Sequence, residues 1–182
     1  MQVIKLGGSL LDGERAKRWL AHLAQRAAAG EPVVVVPGGG PFADHVRRLQ
    51  HDWGFDHVAA HRMALLAMAQ TACVFQSWCA PLRAGHGVAA LRRLVDDGHP
   101  AIWSPTVMPD TPASWDITSD SLAAWLATAL QAERLVLVKS LPAPAGSGPL
   151  QWQAEGLVDV AFPRYAQRFS GAIELVAWDA PL

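Results

Sequence analysis

Two of the three lysines in this 182-residue chain stand where a strand would give way to small or polar residues. Lys5 interrupts the apolar run Val3–Leu6 just before Gly7, Gly8 and Ser9, and Lys139 closes the run Arg134–Lys139 just before Ser140. Ligands of open α/β sheets bind at the C-terminal ends of strands, and successive amides of a Gly-rich turn form a concavity for anions. An ammonium beside such a turn suits phosphate chemistry. A second turn, Gly38-Gly39-Gly40, follows the unbroken β-branched run Val33–Val36. Pro41 fits the first turn of a helix that would carry Asp44, His45 and Arg47, and the free amides of a helix N-terminus again favour an anion. Adjacent glycines weaken a fold, so this turn is expected to be one that a ligand approaches closely. Asp116, Thr118, Ser119 and Asp120 form a third group, with Thr118 or Ser119 as N-cap and Asp120 in the first turn of the helix. His61 and Arg62, near the start of a long apolar segment, complete the candidate set.

The elements that must position these groups follow an α/β pattern. Val33–Val36 and Arg134–Lys139 lack polar alternation, as strands buried on both faces do. Leu20, Leu23, Ala24 and Ala27 share a helical face between the first two strands, and Gly30 ends that helix. Val88–Asp97 is amphipathic, Ala101–Trp103 is a short strand, and Leu122, Leu126, Ala129 and Leu130 line the helix after Asp120. Pro105–Ser114 and Leu141–Pro149 read as loops. Leu157–Phe162 is expected to form a short strand ended by Pro163, and Ile173–Trp178 a last strand. From His57 to Phe75 apolar residues cover the whole helical wheel, so this helix is either central or pressed against another subunit; a homodimer or higher homo-oligomer is the expectation. The sum is a single domain over residues 1–182, a three-layer αβα sandwich around a mainly parallel sheet.

Composition removes other classes. A net charge of −1 gives no electrostatic reason for a nucleic-acid or membrane partner, and the eight tryptophans follow no base-stacking pattern. No basic leader opens the chain, and no run approaches the ~20 apolar residues of a membrane span, so a cytoplasmic location is expected. Cys73 and Cys79 read as buried free thiols. The histidines have no ligand spacing, so no transition-metal site is assigned. Neither GxGxxG nor GxxxxGK[ST] occurs after the strands.

KLGGS near the N-terminus, then a GGG loop, then a TSD-type helix start resembles the amino-acid kinase family, which includes aspartokinase, acetylglutamate kinase and uridylate kinase. The resemblance spans roughly Val3–Lys139. The longer strings PGGGPFADHVR, AHRMALLAMAQ and SWDITSDSLA look like a small branch that serves methanofuran biosynthesis. This implies a kinase that uses ATP with Mg²⁺ and phosphorylates a phosphomonoester, an aminomethylfuran-methyl phosphate in that branch. A carboxylate or nucleotide acceptor, or a non-catalytic binding protein on the same fold, are the alternatives. By this resemblance Lys5 contacts the transferring phosphoryl group, Asp120 orients the lysines, and Gly7, Gly8, Ser9 and Ser140 hold phosphates. Gly38, Gly39, Gly40, Asp44, His61, Arg62, Asp116, Thr118 and Ser119 receive the acceptor. Relatives usually carry a Thr-Asp loop where this chain has Lys139-Ser140, and Lys139 stands as the candidate for their second lysine.

Overall fold

The structure, a computed structural model, describes residues 1–11, 13–106 and 112–180. A six-stranded sheet lies at its centre, with β1 (Gln2–Leu6), β2 (Val33–Pro37), β3 (Arg83–Gly85), β4 (Ala101–Trp103), β5 (Arg134–Lys139) and β6 (Ala172–Ala177) in the order β3-β4-β2-β1-β5-β6. Every pairing is parallel. The helices α1 (Glu14–Ala28), α2 (Gly40–Trp53), α3 (His57–Trp78), α4 (Val88–Asp96), α5 (Ser119–Ala129), α6 (Pro149–Ala154) and α7 (Phe162–Ala166) complete the α/β fold.

The strand patterns have a direct cause. Val34 and Val36 pack with Leu122 and Leu126 of α5 on one face, while Val33 and Val35 pack with Leu20 and Leu23 of α1 on the other. With both faces covered, no position of Val33–Val36 needs a polar residue, and all four are fully buried. Gly30, two residues beyond α1, takes the left-handed conformation that favours glycine.

Helix α3 owes its unstriped composition to serving both faces: Leu65 and Met68 join one core cluster, Ala72 and Phe75 the other. Its 22 residues are long and apolar enough for a membrane span by composition, which the sequence reading did not register, yet its packing gives it a place in the core. Val58 and Leu66 of this helix remain exposed.

Two expectations need correction. Leu157–Phe162 is not a strand. The Leu157 amide closes α6 on the Trp152 carbonyl, the Phe162 amide turns back to the Asp159 carbonyl, and α7 begins at Phe162. Buried Val158, Phe162 and Tyr165 recur at helical rather than alternating spacing. Pro163 sits in the first turn of α7, where its missing amide is no loss. Of the two cysteines, Cys79 is buried but Cys73 is exposed. The expected loop Pro105–Ser114 lies partly outside the described residues.

Candidate active site

The strand pleat delivers two lysines to one place. β1 and β5 are neighbours in register, Lys5 opposite Leu137 and Leu6 opposite Val138. Alternation puts Lys5 on the face of Val3, and Lys139 on the face of Leu135 and Leu137. That is the face α5 covers. Asp120, in the first turn of α5, meets both: Lys5 Nζ lies 2.7 Å from Oδ1 and Lys139 Nζ 2.6 Å from Oδ2. All three are largely withdrawn from water, with side chains 4%, 15% and 5% exposed for Lys5, Lys139 and Asp120.

Burial alone would raise the Asp120 pKa, but the ammonium groups of Lys5 and Lys139 reverse this and hold the carboxyl below its ordinary range. Lys139 is lowered to about 8, first by burial and then by the Lys5 charge, with Asp120 opposing both. The trio therefore carries an excess positive charge at the C-terminal end of the sheet, poised for an anion.

The glycine turns lie against each other. A Cβ on Gly38 would stand 2.5 Å from the Gly8 nitrogen, and one on Gly8 would stand 2.7 Å from the Gly40 nitrogen and Cα. Close approach is indeed why these residues are glycine, but part of what approaches is the other turn. The Gly38 amide donates to the Leu6 carbonyl at 2.9 Å and the Gly7 amide to the Val138 carbonyl at 3.3 Å. Both therefore extend the sheet ladder. Ser140 Oγ donates to Ser9 Oγ at 2.8 Å, tying the end of β5 to the first turn.

The cap of α5 comes from a residue the sequence reading missed. Thr118 occupies the N-cap position without a side-chain cap of its own. Instead Asp159, between α6 and α7, accepts from the Thr118 amide (2.9 Å) and Oγ1 (2.8 Å) and from the Ser121 amide (3.0 Å) and Oγ (2.5 Å). Burial raises the Asp159 pKa, against the lowering effect of these bonds. A carboxylate 41 residues from Thr118 gives no local signal of this role.

Beside Ser119 a cavity of about 70 Å³ opens between α2, α3 and the start of α5. Gly39, Arg47, His61, Trp115, Thr118 and Ser119 line it with apolar residues such as Leu65, Met68 and Leu122. The Arg47 guanidinium lies 4.4 Å over the Trp115 ring, and Trp115 Nε1 donates to Gln50 Oε1 at 2.6 Å. His61 Nε2 is buried without a hydrogen-bond partner among the described residues, and burial lowers the pKa of its imidazole. Trp115 was absent from the candidate set and Arg47 stood there only as one of the basic residues after the GGG turn, whereas Asp44, Arg62 and Asp116 are exposed and do not line the cavity. Asp44 Oδ1 lies 3.6 Å from Arg47 Nη1.

The amino acid kinase family profile matches residues 1–143. [5-(aminomethyl)furan-3-yl]methyl phosphate kinase of Methanocaldococcus jannaschii is 27% identical over 142 residues, covering 75% of this chain and 64% of that protein's length. Uridylate kinase from Archaeoglobus fulgidus has a similar fold, with a TM-score of 0.75 at 16% identity over 97% of this chain and 90% of that one. Aspartate kinase from Synechocystis superposes with a TM-score of 0.77 at 13% identity, over 98% of this chain and 38% of the other. With the profile spanning both glycine turns, Asp120 and both lysines, the chain belongs to the amino acid kinase family.

Proposed function

We propose that this chain is a cytoplasmic kinase that transfers the γ-phosphoryl group of ATP to a small phosphate monoester, an aminomethylfuran-methyl phosphate or a near analogue in methanofuran-type carrier biosynthesis. An oxygen of the acceptor's phosphate forms the new bond to the γ-phosphorus, the bond from that phosphorus to the bridging oxygen breaks, and ADP leaves with the electron pair. The acceptor is already an oxyanion, so no strong base is needed. Positioning and charge neutralisation carry the catalysis.

The observation that carries this reading is the Lys5–Asp120–Lys139 trio beside a small cavity fitted with Arg47. Lys5 and Lys139 stabilise the transferring phosphoryl group, and Asp120 holds their ammonium groups in place. The amides of Gly8 and Ser9 meet the nucleotide phosphates, and those of Gly39 and Gly40 the acceptor phosphate, because Gly7 and Gly38 are committed to the ladder. Arg47 offers a guanidinium suited to a phosphate dianion. The cavity, at about 70 Å³, is roughly half the ~150 Å³ that encloses benzene. A space of that size takes only part of a ring-bearing acceptor and is far too small to enclose a nucleoside.

No group of three or more potential metal ligands occurs among the described residues. Mg²⁺ is commonly held through substrate phosphates and water with only one or two carboxylates. The ion would enter with ATP and neutralise phosphate charge. The exposed apolar side chains Phe42, Val58 and Leu66 on α2 and α3 are proposed to seat a second copy of the chain.

Lys5→Ala tests the assignment. With one preorganised charge lost, kcat should fall about 10²-fold or more while the folded protein still binds the acceptor. Near-normal turnover in a folded Lys5→Ala protein would remove the trio from the mechanism.

A further inference from the structure

We propose that His61 is the specificity-determining residue of the acceptor cavity, its Nε2 accepting a hydrogen bond from an N–H or O–H group at the end of the acceptor remote from the phosphate. This rests on reading the cavity as the acceptor site. Buried polar atoms in native proteins are almost always hydrogen-bonded, yet His61 Nε2 is shut off from water without a partner among the described residues. His61 lines the cavity, and a rotation of its ring toward that space would bring the buried Nε2 to a partner held there.

The described lining residues point to what that partner would be. Arg47 and the amide of Gly39 are donors, suited to the anionic end of a ligand. Among the described residues no carboxylate lines the cavity, so a donor on the acceptor molecule meets no acid among them. Thr118 and Ser119 stand at the start of α5 beside Asp120, so their hydroxyl oxygens, which remain free to accept, serve the phosphoryl-transfer end. That leaves the imidazole as the acceptor for the far end of the ligand. Burial lowers its pKa and so favours the neutral ring, whose Nδ1–H tautomer presents Nε2 as the acceptor. An amine-bearing ring held by its phosphate at Arg47 and by its amine at His61 would fill both roles, with Leu65 and Met68 against the ring.

The test compares aminomethylfuran-methyl phosphate with an analogue in which hydrogen replaces the amino group. The native enzyme should favour the amine by about 10- to 100-fold in kcat/KM, since the analogue leaves a buried polar group unpaired. His61→Leu should bring that ratio within about threefold of unity through a raised KM for the amine, with the KM for ATP unchanged. His61→Gln, which keeps an accepting oxygen, should retain part of the preference. In the native protein, the ¹⁵N resonance of His61 Nε2 should shift when the amine compound binds. An unaltered ratio in a folded His61→Leu enzyme, or an Nε2 resonance unmoved at saturation, would overturn the role of His61 and leave the kinase reading intact. If the native enzyme turned over neither compound, the acceptor reading would fail and this inference with it.

Discussion

Replacing Asp120 by asparagine removes the carboxylate held between two buried ammonium groups while leaving the side chain's shape almost unchanged. The ion pairs are 2.7 and 2.6 Å long, and at an effective dielectric of ~20 a contact of that length amounts to about 6 kcal/mol of Coulomb attraction. Desolvation already offsets much of this, so the net loss on breaking the buried group should be about 3–5 kcal/mol. For a chain of this size that corresponds to a fall in melting temperature of about 10 °C. Urea denaturation at pH 6 should show the midpoint drop with the m-value unchanged. At pH 9, where Lys139 is already largely neutral in the native protein, the loss should be visibly smaller. Adding Lys139→Met to Asp120→Asn removes one stranded charge and should recover more than half of the loss at pH 6. A variant within about 1 kcal/mol of the native protein at pH 6, or no recovery in the double variant, would refute the charge argument.

Other expectations follow from single contacts. The Lys139 pKa of about 8 lies below the ordinary 10.5, so between these values the unfolded chain binds more protons and this group makes stability rise with pH. Comparison with Lys139→Met should isolate that rise, and its absence would contradict the placement of Lys139. ATP binding should draw a proton onto Lys139 near pH 8, seen as buffer-dependent heat in calorimetry, and should weaken above that pH. Asp159→Ala should cost about 2 kcal/mol through the lost cap and should lower kcat through misplacement of Asp120, whereas unchanged kcat would make Asp159 purely structural. Light scattering should report a dimer or a multiple of one, and Leu66→Glu should yield a monomer.

The sequence exposed those parts of the molecule whose signals are local. Lys5 and Lys139 were legible because each sits among strand residues at a strand end, and Asp120 because helix starts have a recognisable chemistry. The fully apolar Val33–Val36 announced a strand covered on both sides. Asp159 was not legible, since its role depends on a turn between two short helices folding back onto Thr118 and Ser121. Leu157–Phe162 misled because a short apolar segment carries the composition of a strand whether or not a sheet edge is free, and β6 already occupies the edge beside β5. Arg47 was legible as a basic residue after the GGG turn, but not that it rather than Arg48 would line the cavity. Only the helix rotation decides that Arg47 stacks on Trp115 while Arg48 contacts His45.

The central claim is tested most directly by initial-rate ADP release with ATP and Mg²⁺, comparing small phosphate monoesters, aminomethylfuran-methyl phosphate among them, with aspartate, glutamate derivatives and UMP. Product identity would be read by ³¹P NMR. The account predicts turnover of the furan phosphate, with the coupled resonances of a diphosphate ester, and at most trace activity on the others. Robust phosphorylation of a carboxylate or of UMP with none of the phosphate monoesters, or no ADP formation with any acceptor, would contradict it.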